Sequence, residues 1–140
     1  MIELDNQQKI KILNLFNSKR FSELEMEIEL ISKTGERSPF LSNLLGVAKI
    51  QKKTPTQLDF ESAMELFREA TKGDSLYEDA LCNYALLGLK LNKHEEPFKL
   101  LKKFLKKGYK AKTYLVLARI YYMIGEINEA LELLRFVIEK

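Results

Sequence analysis

Side chains suited to catalysis or metal binding are few in this sequence. It contains one histidine, His94, and one cysteine, Cys82, so a single chain provides neither a histidine-rich metal site nor a second thiolate ligand. No glycine-rich loop of the kind that cradles phosphates occurs. We therefore expect no enzyme activity, no cofactor and no metal. His94 is expected to pack or cap before a helix, and Cys82 to act as a small apolar residue inside one.

The composition is that of an ordinary globular domain. The chain has 140 residues, of which 46% are apolar and 31% charged, and its formal net charge is +3. That charge is too small to indicate a nucleic-acid partner by itself. The amino end lacks the basic and apolar runs of a secretory signal, and no apolar stretch is long enough to span a bilayer. We expect a single domain over residues 1–140, located in the cytoplasm.

Helix boundaries are marked at regular intervals along the chain. Three pairs match the capping box, in which two side chains satisfy free amides at a helix start: Asp5 with Gln8, Ser22 with Glu25, and Ser75 with Glu78. Ser38 before Pro39 is typical of a cap followed by a first-turn proline. Glycines that can end helices follow at Gly35, Gly73, Gly108 and Gly125. Residues 24–30 alternate apolar and acidic, as a strand would, but glutamate disfavours strands and we predict helix.

A repeated pattern of small and large residues links these helices. Its clearest copies are Tyr114-x2-Leu117-Ala118-x2-Tyr121 with Ala130-x3-Leu134, and Leu45-Gly46 with Ala63-x3-Phe67-x2-Ala70. Weaker copies are Leu81-x2-Tyr84-Ala85 with Pro97-x3-Leu101, and the set Leu15, Phe16, Phe21, Leu24 and Ile28. Aligning Leu24, Ala63, Pro97 and Ala130 gives intervals of 39, 34 and 33 residues. The chain thus resembles the tetratricopeptide repeat family, whose period is about 34.

The resemblance implies an all-α fold, a right-handed superhelical solenoid of four antiparallel helix pairs near residues 5–37, 38–74, 75–109 and 110–140. Gly46, Ala85 and Ala118 would be points of close helix approach, and Phe67, Leu101 and Leu134 would fill the space between pairs. The longer first interval indicates an insertion, Thr54 to Leu58, in the turn of the second pair. Pro97 requires its helix to begin near residues 94–96.

The resemblance also implies a function, the binding of a protein or peptide in a groove lined by the first helix of each pair. Mapped onto this sequence, the groove residues are Lys9, Leu13, Phe16, Asn17, Phe40, Asn43, Val47, Ile50, Gln51, Asp79, Leu86, Leu89, Lys90, Lys112, Arg119 and Tyr122, with Cys82, Asn83 and Leu115 beside them. Their largely apolar character favours an amphipathic helix or an apolar segment as ligand. We expect glutamate at Val47 and Leu86 to abolish binding without loss of stability.

A second reading makes the chain the amino-terminal part of a larger enzyme. The runs at residues 13–21 and 42–46 resemble the start of bacterial tetratricopeptide proteins whose later part is a sulfotransferase or glycosyltransferase. A third reading, self-association of the chain through the groove, also stays open.

Two further surfaces stand out in the second half. Lysines gather on one predicted helix face and just beyond it, at Lys99, Lys102, Lys103, Lys106, Lys107, Lys110 and Lys112, opposite Phe98, Leu100, Leu101, Phe104 and Leu105. We interpret this stripe as a solvated outer face, with an anionic partner as the alternative. Apolar residues also cover a wide arc of residues 127–140. We expect Leu133 and Phe136 to remain exposed there, to be covered by self-association or by further chain.

Overall fold

The computed structural model describes residues 4–34, 37–72, 77–108 and 110–139. Within these ranges it consists of helices and connecting turns, without a β-strand. The α-helices are α1 (Asn6–Asn17), α2 (Phe21–Ile31), α3 (Pro39–Gln51), α4 (Gln57–Ala70), α5 (Glu78–Lys90), α6 (Glu95–Leu105), α7 (Ala111–Met123) and α8 (Ile127–Glu139). A 3-10 turn, Ser32–Thr34, follows α2. The alternating segment at residues 24–30 is therefore helical, as predicted.

The helices divide into two compact units, Met1–Tyr77 and Glu78–Lys140. In the first unit α2 packs against both α1 and α3, and α3 pairs with α4. In the second unit α5, α6 and α7 pack against one another, and α7 pairs with α8. Each unit therefore holds two successive antiparallel helix pairs. That residues 1–140 form one domain stays a prediction.

Each unit has its own apolar core. The first core contains Ile12, Leu15, Leu24, Ile28, Leu41, Leu44, Leu45, Ala48 and Leu66. The second contains Leu81, Cys82, Ala85, Leu101, Val116, Leu117 and Ile120. In α1, α2, α3, α5 and α7 these residues recur at helical spacing, so each of these helices presents an apolar stripe to its neighbours.

Several helix ends follow the predicted capping chemistry. The Asp5 carboxylate accepts a hydrogen bond from the Gln8 amide at 2.8 Å, and the Gln8 side chain accepts one from the Asp5 amide at 3.0 Å. Ser38 caps α3, with Pro39 in the first turn. Helix α6 begins at Glu95, which leaves Pro97 in its first turn, where no hydrogen bond is lost. Helices α6 and α7 end before Gly108 and Gly125, whose φ angles are positive.

Two predicted boundaries are corrected. The pair Ser22 and Glu25 forms no capping box, because α2 already begins at Phe21 and the Glu25 carboxylate binds lysines of α3 and of the following turn instead. The insertion at residues 54–58 does more than lengthen a turn. Thr56 and Asp59 form an unpredicted capping box, so the last two inserted residues belong to the first turn of α4. Gly35, Gly73 and Ser75 lie outside the described residues.

Close approach of α3 and α4 occurs where the small residue was predicted. A Cβ atom added to Gly46 would lie 2.5 Å from Cε1 of Phe67, well inside van der Waals contact. Phe67 is fully buried, as are Leu101 and Ala85, and Ala118 is 3% exposed. Leu134 differs from the other large residues of the pattern, because 37% of it is exposed.

Candidate protein-binding surface

The groove residues predicted in the first unit lie on α1 and α3. Leu13 on α1 is 46% exposed and Phe40 on α3 is 39% exposed, while Lys9, Asn17 and Gln51 are exposed polar residues of the same two helices. These five residues can be reached by a ligand. We call the predicted groove residues of α1 and α3 the first-unit surface.

Other predicted residues of the first-unit surface take part in packing. Phe16 is half-buried against the core and makes an edge-to-face contact with Phe21, with ring centroids 6.1 Å apart. Val47 and Ile50 are half-buried, and Asn43 is only 5% exposed. The carboxamide of Asn43 therefore belongs to the interior of the unit.

The second unit presents a more open surface on α7. Leu115, Arg119 and Tyr122 lie at spacings of four and three residues, which places them on one face of the helix. Leu115 is 47% exposed and Tyr122 is 62% exposed, with the exposed Arg119 between them. On α5, Lys90 is exposed, whereas Leu86 and Leu89 are half-buried against the second core. We call these residues, with Asp79 and Lys112, the second-unit surface.

Asp79 and Lys112 are brought together by the fold. The Lys112 ammonium donates a hydrogen bond to the Asp79 carboxylate at 2.7 Å, which ties α5 to α7 and raises the pKa of Lys112. Beneath this pair the Thr113 hydroxyl donates to Glu78 at 2.6 Å. Cys82 is fully buried, its Sγ atom lies 3.9 Å from the Thr113 hydroxyl, and burial raises the pKa of its thiol. Cys82 is thus a core residue, as expected.

The placement of His94 and of the acidic and cysteine side chains bears on the expectation that the chain has no catalytic or metal site. His94 stands at the N-cap of α6 but makes no capping hydrogen bond, so the capping role is not realised. It is half-buried, and its Nδ1 atom has no hydrogen-bond partner in the described part of the chain. Across residues 4–34, 37–72, 77–108 and 110–139, no group of three acidic, histidine or cysteine side chains could hold a metal ion.

The lysine stripe lies on the outside of α6 and the turn after it. Lys99, Lys102, Lys103, Lys106 and Lys107 are all exposed, and the apolar residues opposite them pack on the second core. The ammonium of Lys102 lies 5.0 Å from the centre of the Phe98 ring. Lys112, which the sequence groups with this stripe, instead pairs with Asp79.

An ion-pair network that sequence reasoning missed connects α2, α3 and α4. Glu25 accepts hydrogen bonds from Lys49 at 2.9 Å and from Lys52 at 3.0 Å, and Lys52 also donates to Asp59 at 3.0 Å. Partial burial of Glu25 favours its neutral form, but the two lysines outweigh this and lower its pKa. The Thr56 amide and Lys52 lower the pKa of Asp59 to about 2. These ion pairs connect α2 to α3, and α3 to α4, at the surface of the first unit.

A hollow lies on another side of α1 in the first unit. It has a volume of 480 Å³ and is lined by residues of α1 and α2, among them Ile10, Asn14 and Glu23. None of its lining residues belongs to the predicted groove. Of its two apolar lining residues, Ile10 is 59% exposed and Leu15 is buried.

The exposure predicted on α8 holds at Phe136 but not at Leu133. Leu133, expected to be exposed, packs half-buried against the second core. Phe136 is 38% exposed and stacks on Tyr114 at a centroid distance of 5.1 Å. The larger apolar exposure of α8 lies on another face of the helix, at Ile127, Leu131, Leu134 and Ile138.

Comparison with known proteins identifies the fold. No family model matches the chain, and no curated protein matches it by sequence. The crystal structure of MamA, a tetratricopeptide-repeat protein, superimposes with a TM-score of 0.74 at 15% identity, covering 91% of this chain and 72% of MamA. The chain has a tetratricopeptide-like fold. The predicted class, an all-α solenoid of helix pairs, is confirmed, whereas the resemblance to sulfotransferase and glycosyltransferase proteins gains no support.

One result of the structure bears on membranes. No helix in the described part of the chain is long and apolar enough to cross a bilayer.

Proposed function

We propose that this chain is a non-catalytic scaffold that binds a protein segment through the first helices of its pairs. One observation carries the proposal: Leu115 and Tyr122 are large apolar side chains left exposed on one face of α7, on either side of Arg119. An exposed apolar strip next to a charge is the kind of surface that an amphipathic helix or peptide covers.

The charges of the second-unit surface indicate which kind of protein segment it would bind. Arg119 lies between the two apolar residues, and its guanidinium group can donate two parallel hydrogen bonds to one carboxylate. Asp79 and Lys112 neutralise each other at 2.7 Å, so they add a polar rim without a net charge. The preferred ligand is therefore a segment with apolar residues three or four positions apart and an acidic residue between them.

The first-unit surface supports the same kind of ligand. Leu13 on α1 and Phe40 on α3 are exposed apolar residues, and the exposed Lys9 and Asn17 lie one turn before and one turn after Leu13. A cation and an amide beside an apolar side chain again suit an amphipathic segment with acidic residues. For the compartment we propose the cytoplasm, because Cys82 is a free thiol buried in the core.

A display selection tests the function. Randomised helical peptides are selected on the intact chain, and the enriched peptides are titrated calorimetrically against variants. Glutamates at Leu115 and Tyr122 should weaken binding at least about tenfold, because both anchors are lost and Arg119 acquires an internal partner. Melting should be nearly unchanged, since exposed substitutions shift stability by under about 0.5 kcal/mol.

Leu58→Glu is the matched control. Leu58 is 70% exposed, but it lies on α4, which is the second helix of its pair and not part of the proposed binding surface. This variant should bind the peptides as the wild type does. A parallel variant, Leu13→Glu with Phe40→Glu, reports on the first-unit surface. Failure to enrich any peptide, or equal affinity for both double variants and the wild type, would refute the proposal.

A further inference from the structure

One face of α8 is apolar along its whole length. The residues on it follow one another at spacings of four, three and four positions, so they form a single stripe. This α8 stripe consists of Ile127, Leu131, Leu134 and Ile138, which are 47%, 45%, 37% and 83% exposed. The residues that face the core are different ones: Ala130 is 3% exposed, and Leu133 and Val137 are half-buried.

The same positions are covered in other helix pairs of this chain. With Leu24 and Pro97 aligned to Ala130, the stripe corresponds to Phe21, Glu25 and Ile28 on α2 with its C-cap Ser32, and to Phe98, Leu101 and Leu105 on α6 with its N-cap His94. All eight are buried or half-buried, and Ile28 and Leu101 are fully buried. The next helix packs against each of these two, α3 against α2 and α7 against α6. The α8 stripe is thus a surface of the type that a helix covers.

We propose that a second copy of this chain covers the α8 stripe, with the two α8 helices antiparallel about a two-fold axis. The stripe reads isoleucine, leucine, leucine, isoleucine, and its spacings of four, three and four are the same in both directions. In antiparallel register Ile127 therefore meets Ile138 of the second copy, and Leu131 meets Leu134. Self-complementarity of this kind is what a two-fold interface requires. The spacing is also that of a coiled-coil seam.

The charges of α8 are compatible with this packing. At 100° per residue, Glu129, Glu132 and Glu139 project away from the stripe, so no acidic residues face each other across the axis. The polar residues flanking the stripe are Asn128 and Arg135. In the antiparallel register, Asn128 of one copy lies beside Arg135 of the second copy. The interface therefore combines an apolar seam with a compatible polar edge.

The expected dimer is reversible. A seam of one helix from each copy is smaller than the roughly 800 Å² per partner of a standard stable interface. Association should therefore depend on concentration. The inference does not rest on the proposed ligand-binding surface, because it concerns a different face of the pair formed by α7 and α8.

Sedimentation equilibrium of the full chain tests the dimer. The wild type should pass from monomer to dimer as concentration rises, and Leu131→Glu with Leu134→Glu should raise the dimer dissociation constant at least about tenfold. Leu30→Glu is the control, because Leu30 is 67% exposed on α2, far from α8 in sequence. A wild type that stays monomeric at every concentration would overturn the inference, as would a dimer that the control disperses and the α8 variant does not.

Cysteine cross-linking tests the register. Leu131→Cys and Leu134→Cys are prepared as separate proteins, mixed and mildly oxidised, while the buried Cys82 remains as in the wild type. The antiparallel seam predicts that the disulfide between the two different variants forms faster than either variant's disulfide with itself. Equal or reversed rates would contradict this packing.

Discussion

The contact between Gly46 and Phe67 yields the sharpest prediction about stability. An alanine methyl at position 46 would lie 2.5 Å from Cε1 and 2.9 Å from Cδ1 and Cζ of the Phe67 ring. Carbon atoms pack best about 3.5–4.0 Å apart, so the ring must move by about 1 Å. Phe67 is fully buried, so its neighbours must move with it.

The expected magnitude follows from two opposing effects. Overpacking a core costs about 1–3 kcal/mol, whereas replacing glycine by alanine inside a helix returns about 1 kcal/mol. Gly46→Ala should therefore lower the free energy of unfolding by up to about 2 kcal/mol. Urea denaturation followed by the helical circular dichroism signal measures this change.

A double-mutant cycle isolates the contact. Phe67→Leu removes the ring edge that the new methyl would strike, so in that background Gly46→Ala should be neutral or stabilise by up to about 1 kcal/mol. If Gly46→Ala stabilises the otherwise unchanged protein, the reasoning about close helix approach is wrong.

Three further predictions concern the charged residues. Lys49→Met should lower the free energy of unfolding, measured by urea denaturation, by about 1–2 kcal/mol, because Glu25 is 15% exposed and loses a partner. Lys11→Met should lower it by under about 0.5 kcal/mol, because the lysine of that ion pair is 60% exposed. The pKa of Asp59 is depressed from 3.8 to about 2, so the ionised carboxylate stabilises the fold above pH 3.8, and this stabilisation is lost as pH falls toward 2. In Asp59→Asn the free energy of unfolding should therefore change less with pH over that range. Glutamine at Lys99, Lys103 and Lys106 should leave the affinity for selected peptides unchanged by calorimetry, whereas a tenfold loss would place the ligand on α6.

Much of the fold follows from local sequence signals. The capping box at Asp5, the cap at Ser38 and the position of Pro97 depend on a few neighbouring residues, and the structure has them as predicted. The role of Gly46 as a point of close helix approach follows from the repeat pattern, whereas its contact with Phe67, which the pattern assigns to the space between pairs, does not. These features depend on chemistry within one helix or between two consecutive helices, which a sequence records directly.

The errors lie where packing between helices decides the outcome. Ideal projection of α8 gives the width of its apolar arc but not the direction of α7, so Leu133 was assigned to the exposed side although it faces the core. Likewise Val47 and Leu86 were expected to tolerate glutamate, yet both are half-buried. We now expect Leu86→Glu to destabilise the second unit, because it places a charge against the core.

The ion-pair network could not be predicted for a related reason. Glu25 and Lys52 are 27 residues apart, and their contact depends on how α2 lies across the end of α3. The early start of α2 is also set by the tight turn before it, where Lys19 has a positive φ angle. The sequence pattern at Ser22 carries no sign of that turn.

Hydrogen exchange on the intact chain, with and without a saturating selected peptide, tests the central claim most directly. If the first helices form the binding surface, the amides of Ala111–Met123 and Pro39–Gln51 should gain protection, while those of α6 and α8 keep their exchange rates. Protection confined to α6, α8 or the hollow beside α1 would contradict the account.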